Sequence, residues 1–258
     1  MCAIFTEERD DIRRTSFGKE ALLNTRELQR SMYELRDSSV AQRVTLAGIA
    51  AVLVALVRWL LLGNGIHTAG RWFGWTWQAG DPVRRICIAT ALSIHYVRIL
   101  FTEFVFLKRG VSWTEVFTIV PWMFCIYILL AAAGGLNTHA MGITGGSGVA
   151  LFVAGSWMNS WSEYTRHVWK ERPGNRGRLY TGGLFRFSRH PNYLGDLTSF
   201  SGLCLISEAW VTALIPLTML AGFVLVSIPV LDSHLGERYG SEFKEYAKRT
   251  SKLIPFVY

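Results

Sequence analysis

Charged residues are missing from long stretches of this sequence, and that absence limits the available folds more than any motif does. A helix needs about 20 predominantly apolar residues to cross the hydrocarbon core of a bilayer. Six stretches approach that length: residues 44–62, 86–107, 113–133, 141–157, 193–206 and 210–231. The second carries His95, Arg98 and Glu103 within it, and the fifth is short. Half of the 258 residues are hydrophobic and ten are tryptophan, which is rich for a water-soluble domain. The expected fold is all-α: a polytopic integral membrane protein of about six to seven transmembrane helices.

The net charge of +8 raises the question of nucleic acid, but its distribution answers for topology instead. Residues 1–43 hold eight Lys/Arg, 158–191 hold seven and 232–258 hold five, and Lys108 and Arg109 follow the second span. The alternate loops are poor in positive charge, with none at 134–140 or 207–209. Basic and poor segments thus alternate as the positive-inside rule requires for an even number of spans with both termini cytoplasmic. No nucleic-acid partner is needed to explain the charge. The expected location is the endoplasmic reticulum in a eukaryote or the inner membrane in a bacterium. The first forty residues are polar, so no cleavable signal peptide is expected. Cys2, Cys87, Cys125 and Cys204 are scattered without CxxC spacing, which suggests small buried hydrophobes rather than disulfides or a metal site.

Two units are expected, a cytoplasmic amphipathic N-terminal segment (1–43) and a membrane domain (44–258) whose informative part is 156–258. Within the first, residues 16–32 read as a helix at the membrane surface. The Trp-rich loop at 64–83 fits an interfacial aromatic belt. The glycine-rich GITGGSG is neither GxGxxG nor followed by Lys-Ser/Thr, so close helix packing explains it better than phosphate binding.

The chemistry-bearing residues gather in two places. After the fourth span, Asn159, Glu163, Arg166 and Lys170 recur on one helical face, which reads either as a solvated face with a Glu163–Arg166 pair or as part of a site. Arg172, Arg176, Arg178, Arg186 and Arg189 follow, and clustered guanidiniums suit a polyanion because they bind phosphate bidentately. RHPNYLGD (189–196) then opens the fifth span: Pro191 suits a first helical turn, Asn192 and Asp196 share a face, and Arg189, His190 and Tyr193 surround the entrance. In the plainer alternative Asp196 only neutralises Arg189. Beyond the last span come Asp232, His234, Glu237, Tyr239 and Tyr246, of which Asp232 and His234 abut the apolar boundary. In the second span Tyr96 and Glu103 are seven apart on one face, beside a row of His95, Arg98 and Thr102. A tyrosine near a carboxylate in a membrane cavity would polarise a carbonyl and donate a proton; helix–helix hydrogen bonding is the alternative.

The order of NSWSEYTRHVWKERPGNRGRLYTGGLF, RHPNYLGD and HLGERYGSEFKEYAKRTSKLIPFVY resembles the C-terminal region of the membrane steroid 5-alpha-reductase family, and its DUF1295 branch in particular. HYVRILFTEFVFLKRG (95–110) is a weaker echo of the same family. The resemblance implies an enzyme that uses NADPH to reduce a carbon–carbon double bond of a steroid- or sterol-like lipid, with cytoplasmic loops forming the cofactor cavity. By matching position it implies cofactor contacts from Asn159, Glu163, Lys170, Arg178, Asn192, Tyr193, Asp196 and His234, and Arg189 and His190 match the related sterol reductases. Arg172 and Tyr246 complete the set expected from their neighbourhood. Tyr96 resembles the tyrosine that binds a steroid ketone. The Gln-Glu pair that partners it in ketosteroid reductases is missing from the first span, and Glu103 is the substitute on offer.

A second resemblance runs to the isoprenylcysteine carboxyl and phospholipid methyltransferases, which share an RHPxYxG segment and bind S-adenosylmethionine there. Their tail carries a Glu-Glu pair where this chain has LDSHLGE. The arginine-rich loop also suits pyrophosphate and a 2′-phosphate better than a sulfonium. A catalytically inactive lipid-binding protein is the third reading.

Overall fold

The computed structural model describes residues 39–258; the amphipathic helix expected at 16–32 lies outside the described residues. All six apolar stretches are helical. Helix α1 (Val40–Leu62) is followed by a short α2 (Gly65–Trp72) and by α3 (Pro82–Phe101). Asp81 caps α3 by accepting from the Arg84 N–H at 2.8 Å, and Pro82 supplies a first-turn residue that needs no hydrogen-bond partner. The chain then widens into a π-helical turn, Thr102–Phe106. Helix α4 (Trp113–Gly135) starts with a capping box in which Ser112 and Glu115 satisfy each other's backbone N–H groups at 3.1 and 3.0 Å.

Helix α5 (Ile143–Glu171) is long and changes from apolar to polar midway. A loop of short turns leads to α6 (Pro191–Ser207). After it, α7 (Leu214–Gly222), a second π-helical turn (Phe223–Ser227) and α8 (Ile228–Tyr239) make one rod, and α9 (Ser241–Arg249) ends the helical part.

Among the described residues, four helices are long and apolar enough to cross a membrane: Val40–Leu62, Pro82–Phe106, Trp113–Gly135 and Trp210–Tyr239. The protein is an all-α integral membrane protein. The other two sequence spans, α5 and α6, are built differently. With 17 residues α6 rises about 25 Å, short of a hydrocarbon core about 30 Å thick. It packs along α5 through paired glycines. A Cβ on Gly155 would meet the Gly195 carbonyl oxygen at 2.5 Å, and one on Gly148 the Gly202 carbonyl oxygen at 2.6 Å. The two glycines on each helix are seven residues apart, two turns along one face. In lipid, where tails are as apolar as leucine, such close approach replaces hydrophobic drive as the reason for helices to associate. Gly148 also explains the glycine-rich run as packing.

The core lies between α1, α3, α4 and α6, where Leu61, Ile88, Leu92, Tyr127, Leu130 and Leu203 are fully buried. At the start of α3 the core is closed by Arg84, which has no exposed surface. Its guanidinium donates to the carbonyls of Ile206 (2.9 Å), Asn137 (3.1 Å) and His139 (2.7 Å) and pairs with Glu208. The exposed Phe73 and Trp75 and the half-buried Trp77 pack together beside this end, with ring centroids 5.6 and 5.2 Å apart, as an interfacial belt would. The polar residues of the candidate site gather at the opposite end of α3.

Candidate functional site

The polar half of α5 supplies one wall. Asn159 is buried and donates to the Asn192 carbonyl at 3.1 Å, which fixes the start of α6 against α5. One turn on, Glu163 pairs with Arg166 at 2.6 Å, the i,i+3 contact that helical spacing requires. Burial opposes the Arg166 charge, but the Glu163 carboxylate outweighs it and holds the guanidinium above its ordinary pKa. Lys170 donates to the Tyr239 hydroxyl at 2.9 Å and to the Arg178 carbonyl, and lies over the Tyr239 ring. A single lysine thus joins α5, the basic loop and α8.

Arg189 and His190 are buried, and both bind Asp232 of α8. Its two oxygens lie 2.8 Å from Arg189 Nη1 and 3.0 Å from His190 Nε2. The His190 ring stacks on Tyr193 and Tyr193 on Phe223, with centroids 5.3 and 4.7 Å apart and planes within 10°. Phe223 opens the second π-helical turn. Behind this, the Arg189 N–H donates to the Ser251 carbonyl at 2.8 Å, so the tail is bound to the RHPNYLGD segment. The Tyr246 hydroxyl of α9 donates to the Phe185 carbonyl at 2.7 Å, and burial pushes its phenol pKa up so that it stays a donor.

These walls enclose a cavity of about 710 Å³ between the end of α3, α5, α6 and α8, with a side chamber of about 110 Å³. Of the expected cofactor residues, Glu163, Lys170, Asn192, Tyr193 and His234 line the main cavity. Arg189, His190 and Tyr246 line the side chamber, which shares Glu163, Lys170, Asn192 and Tyr239 with it. Asn159 acts through Asn192. Asp196 lies beside neither space: it pairs with Arg98 of α3 at 2.5 Å, and Arg98 also donates to Ser156 at 3.3 Å. The partner anticipated for Asp196, Arg189, is bound by Asp232 instead. Arg172 and Arg178 are exposed on the loop, where Arg178 offers its carbonyl to Lys170.

The two residues proposed for catalysis sit on the α3 side. Tyr96 is half-buried against the core, six residues before Thr102, which lines the cavity. At a rise of 1.5 Å per residue that is about 9 Å along the helix. Glu103 lies in the π-helical turn, and its Oε2 is buried without a hydrogen-bond partner. Neither lines the cavity.

Sequence reasoning left out Phe106, Lys108, Arg109, His167, Leu231, Leu235 and Arg238, all of which line it. Lys108 and Arg109 were visible only as topological charge. Their placement comes from Arg43 in the first turn of α1, whose guanidinium donates to the carbonyls of Leu107 (3.0 Å) and Arg109 (2.6 Å) and to that of Glu103. Among the described residues no cluster of His, Cys, Asp and Glu is arranged to hold a metal.

Comparison with known proteins joins this geometry to a family. Residues 94–250, which include most of the cavity wall, match the family described as "Protein of unknown function (DUF1295)". A probable O-methyltransferase, ustE, of Ustilaginoidea virens is 32% identical over 44% of this chain and 42% of its own length. The 3-oxo-5-alpha-steroid 4-dehydrogenase 2 of Rattus norvegicus is 27% identical over 64% of this chain and 66% of its own. The chain therefore spans less than two thirds of the length of either relative. Protein-S-isoprenylcysteine O-methyltransferase B of Arabidopsis thaliana is 29% identical over 35% of this chain and 46% of its own. The expected kinship is present on both sides, and the chain belongs to the DUF1295 family, with the 3-oxo-5-alpha-steroid 4-dehydrogenases among its relatives.

Proposed function

We propose that the protein is a membrane-embedded, NADPH-dependent reductase of a carbon–carbon double bond in a steroid- or sterol-like lipid. The observation that carries this reading is the charge of the cavity. Lys108, Arg109, Arg166, Lys170, Arg176 and Arg238 line it against two carboxylates, Glu163 and Glu171. Its volume, about 710 Å³, falls within the roughly 300–1,000 Å³ of ordinary ligand sites. A surplus of guanidinium and ammonium groups suits a ligand with several phosphates, and arginine binds each of them in a fork. Tyr193, Tyr239 and the apolar side chains of Leu231 and Leu235 suit the flat rings of a dinucleotide. The residues present therefore fit NADPH.

When bound, that cofactor supplies hydride. The chain's own residues bind and orient it through Lys170, Arg166, Arg176, Asn192, Tyr193 and His234. Lys170 and Arg178 tie the basic loop to the wall, and Asp196 supports α6 through Arg98. On the substrate side, the likeness of Tyr96 to the ketone-binding tyrosine assigns its hydroxyl the hydrogen bond to a substrate carbonyl; Tyr96 stands about 9 Å along α3 from the cavity-lining Thr102, so that substrate would lie deeper between the helices than the cofactor. Glu103, with a buried oxygen unspent, is the carboxylate nearest that role in sequence. The cavity would face the cytoplasm, where both termini lie by the distribution of positive charge.

Two methyltransferases among the relatives support a second reading, transfer of a methyl group from S-adenosylmethionine. A sulfonium carries positive charge, and the six basic side chains of the cavity disfavour it. Titration of the purified protein in detergent with NADPH and with S-adenosylmethionine separates the two. Saturable binding of NADPH is expected; binding of S-adenosylmethionine alone overturns the reductase reading.

A further inference from the structure

We propose that residues 251–258 form a membrane-surface anchor: Phe256 and Val257 enter the interfacial layer of the bilayer, and Lys248, Arg249 and Lys252 bind anionic lipid headgroups beside them. The inference stands independently of the cofactor reading.

The rod that ends in α8 sets the depth of this segment. Asp232 lies 22 residues beyond Trp210 on that rod, about 33 Å at helical rise, against a hydrocarbon core about 30 Å thick. Trp210 is 87% exposed, as a tryptophan at one membrane boundary would be. Asp232 therefore stands at the other boundary. Arg189 pairs with Asp232 at 2.8 Å, and its backbone N–H donates to the Ser251 carbonyl at 2.8 Å. Ser251 is thus within one arginine side chain of the membrane boundary.

From Ser251 onward the chain closes a tight turn. The Leu253 N–H donates to the Tyr258 carbonyl at 2.7 Å, and the Val257 and Tyr258 N–H groups donate to the Ile254 carbonyl at 3.1 and 3.0 Å. The Phe256 N–H donates to the Ser251 hydroxyl at 3.0 Å, and the Leu253 side chain is fully buried. Within this turn Phe256 takes a φ of 64°, a left-handed backbone that is rare for a bulky residue. Such strain persists only where the surrounding structure enforces it, and the hydrogen bonds do so here. The result is that Phe256 and Val257 are held outward, 91% and 78% exposed. Phe187 is exposed as well, next to Ser188, which pairs with Ser251. Large apolar side chains fixed outward at this depth gain from leaving water for lipid.

The charge beside them has one sign. Lys248, Arg249 and Lys252 are exposed, and residues 246–258 contain no Asp or Glu. Lys252 lies over the Tyr258 ring, 4.9 Å from its centroid, which ties one cation to the turn. By the distribution of positive charge along the chain this end faces the cytoplasm, where the leaflet carries anionic lipid. Apolar insertion and basic attraction are each weak, and together they make a stable anchor.

The test places a nitroxide spin label at Val257→Cys, with the native cysteines replaced by alanine, in nanodiscs of phosphatidylcholine with or without phosphatidylserine. Collisions with oxygen, which concentrates in lipid, are compared with collisions with a water-soluble nickel chelate. A label at Arg172→Cys, on the exposed basic loop, is the reference in water. The oxygen-to-nickel ratio at 257 should exceed the reference several-fold. It should rise further with phosphatidylserine, and Lys248→Glu combined with Lys252→Glu should abolish that rise. A ratio at 257 equal to the reference in both lipids overturns the anchor. Insertion indifferent to phosphatidylserine overturns the headgroup assignment. Shielding from both reagents that depends on protein concentration means that a second copy of the chain covers the turn, and overturns the proposal too. Where the labelled variants do not fold, hydroxyl-radical footprinting of the unaltered protein in the same discs decides: Phe256 should be protected, and oxidation at the rate of a fully hydrated phenylalanine overturns the anchor.

Discussion

Arg98, in the last turn of α3, lies 2.5 Å from Asp196 in the second turn of α6. The pair also reaches Ser156 on α5, so three helices meet at one half-buried contact. Removing one partner from a fully buried ion pair costs about 3–5 kcal/mol, and less where, as here, the pair is half-buried; replacing both with apolar groups is often neutral. Asp196→Ala should therefore lower the thermal midpoint in detergent sharply. Arg98→Leu combined with Asp196→Leu should recover much of the loss. If the double variant is as unstable as Asp196→Ala, the pair is not what joins the helices.

The paired glycines of α5 and α6 give a second measurable contrast. Gly195→Ala would set a methyl group 2.5 Å from the Asn159 backbone nitrogen, while a methyl group at Gly146 meets nothing within 4 Å. Overpacking of this kind costs about 1–3 kcal/mol or more. The open helical site should gain up to about 1 kcal/mol from the same change, because alanine loses less backbone freedom than glycine. Opposite shifts in the thermal midpoint of the two variants are expected, and shifts of one sign would contradict the packing.

Arg43 holds the loop that brings Lys108 and Arg109 to the cavity, and it does so by donating to main-chain carbonyls left over at the end of a helix. Gln is too short and has too few donors to serve all three. Arg43→Gln should weaken NADPH binding several-fold although Arg43 does not itself line the cavity. It should also flatten the dependence of affinity on ionic strength, since cationic groups displaced from the ligand no longer contribute a screened attraction. An unchanged salt dependence would remove Arg43 from that role.

These relationships mark where the sequence was readable. Regular spacing revealed the helices and the Glu163–Arg166 pair, because both depend on neighbours three or four residues apart. Five of the residues named for cofactor binding, Asn192 and Tyr193 of RHPNYLGD among them, line the cavity. The choice of partner was not legible. Asp232 is 42 residues from His190 and Asp196 is 98 from Arg98, so which carboxylate meets which cation depends on how helices pack. The π-helical turn at Thr102–Phe106 left no trace in 3.6-residue periodicity, yet it leads the chain into the cavity wall. Span count was also blurred, because α5 and α6 are helical and apolar in part but too polar or too short to be counted by length and composition.

Ionic strength offers a direct check on the electrostatic character of the cavity. Charges near a surface are screened within about 8 Å at physiological salt. Association of an anionic dinucleotide with a pocket lined by six basic side chains should weaken steadily as salt rises from low to about 0.5 M, with most of the change in the association rate. Arg176→Ala and Arg238→Ala, on two different walls, should each reduce both affinity and slope. An affinity indifferent to salt would mean that the basic lining does not face the ligand.

Tyr246 supplies a pH test of the tail. Its hydroxyl donates to the Phe185 carbonyl, and burial raises its pKa above the ordinary value near 10. An unfolded chain releases that proton near pH 10, whereas the folded protein retains it to higher pH. The folded state therefore binds more protons in this window, and stability must fall with rising pH. The contribution is fully present below about pH 10 and is lost as pH climbs toward the folded pKa. Tyr246→Phe removes both the hydrogen bond, at a cost of about 0.5–1.5 kcal/mol at neutral pH, and the ionisable group. Thermal midpoints measured from pH 7 to 11 should start lower for the variant and then converge with those of the wild type above pH 10. Parallel curves would mean that the phenol is as solvated in the folded protein as in the unfolded chain, and that α9 is not anchored to the loop through it.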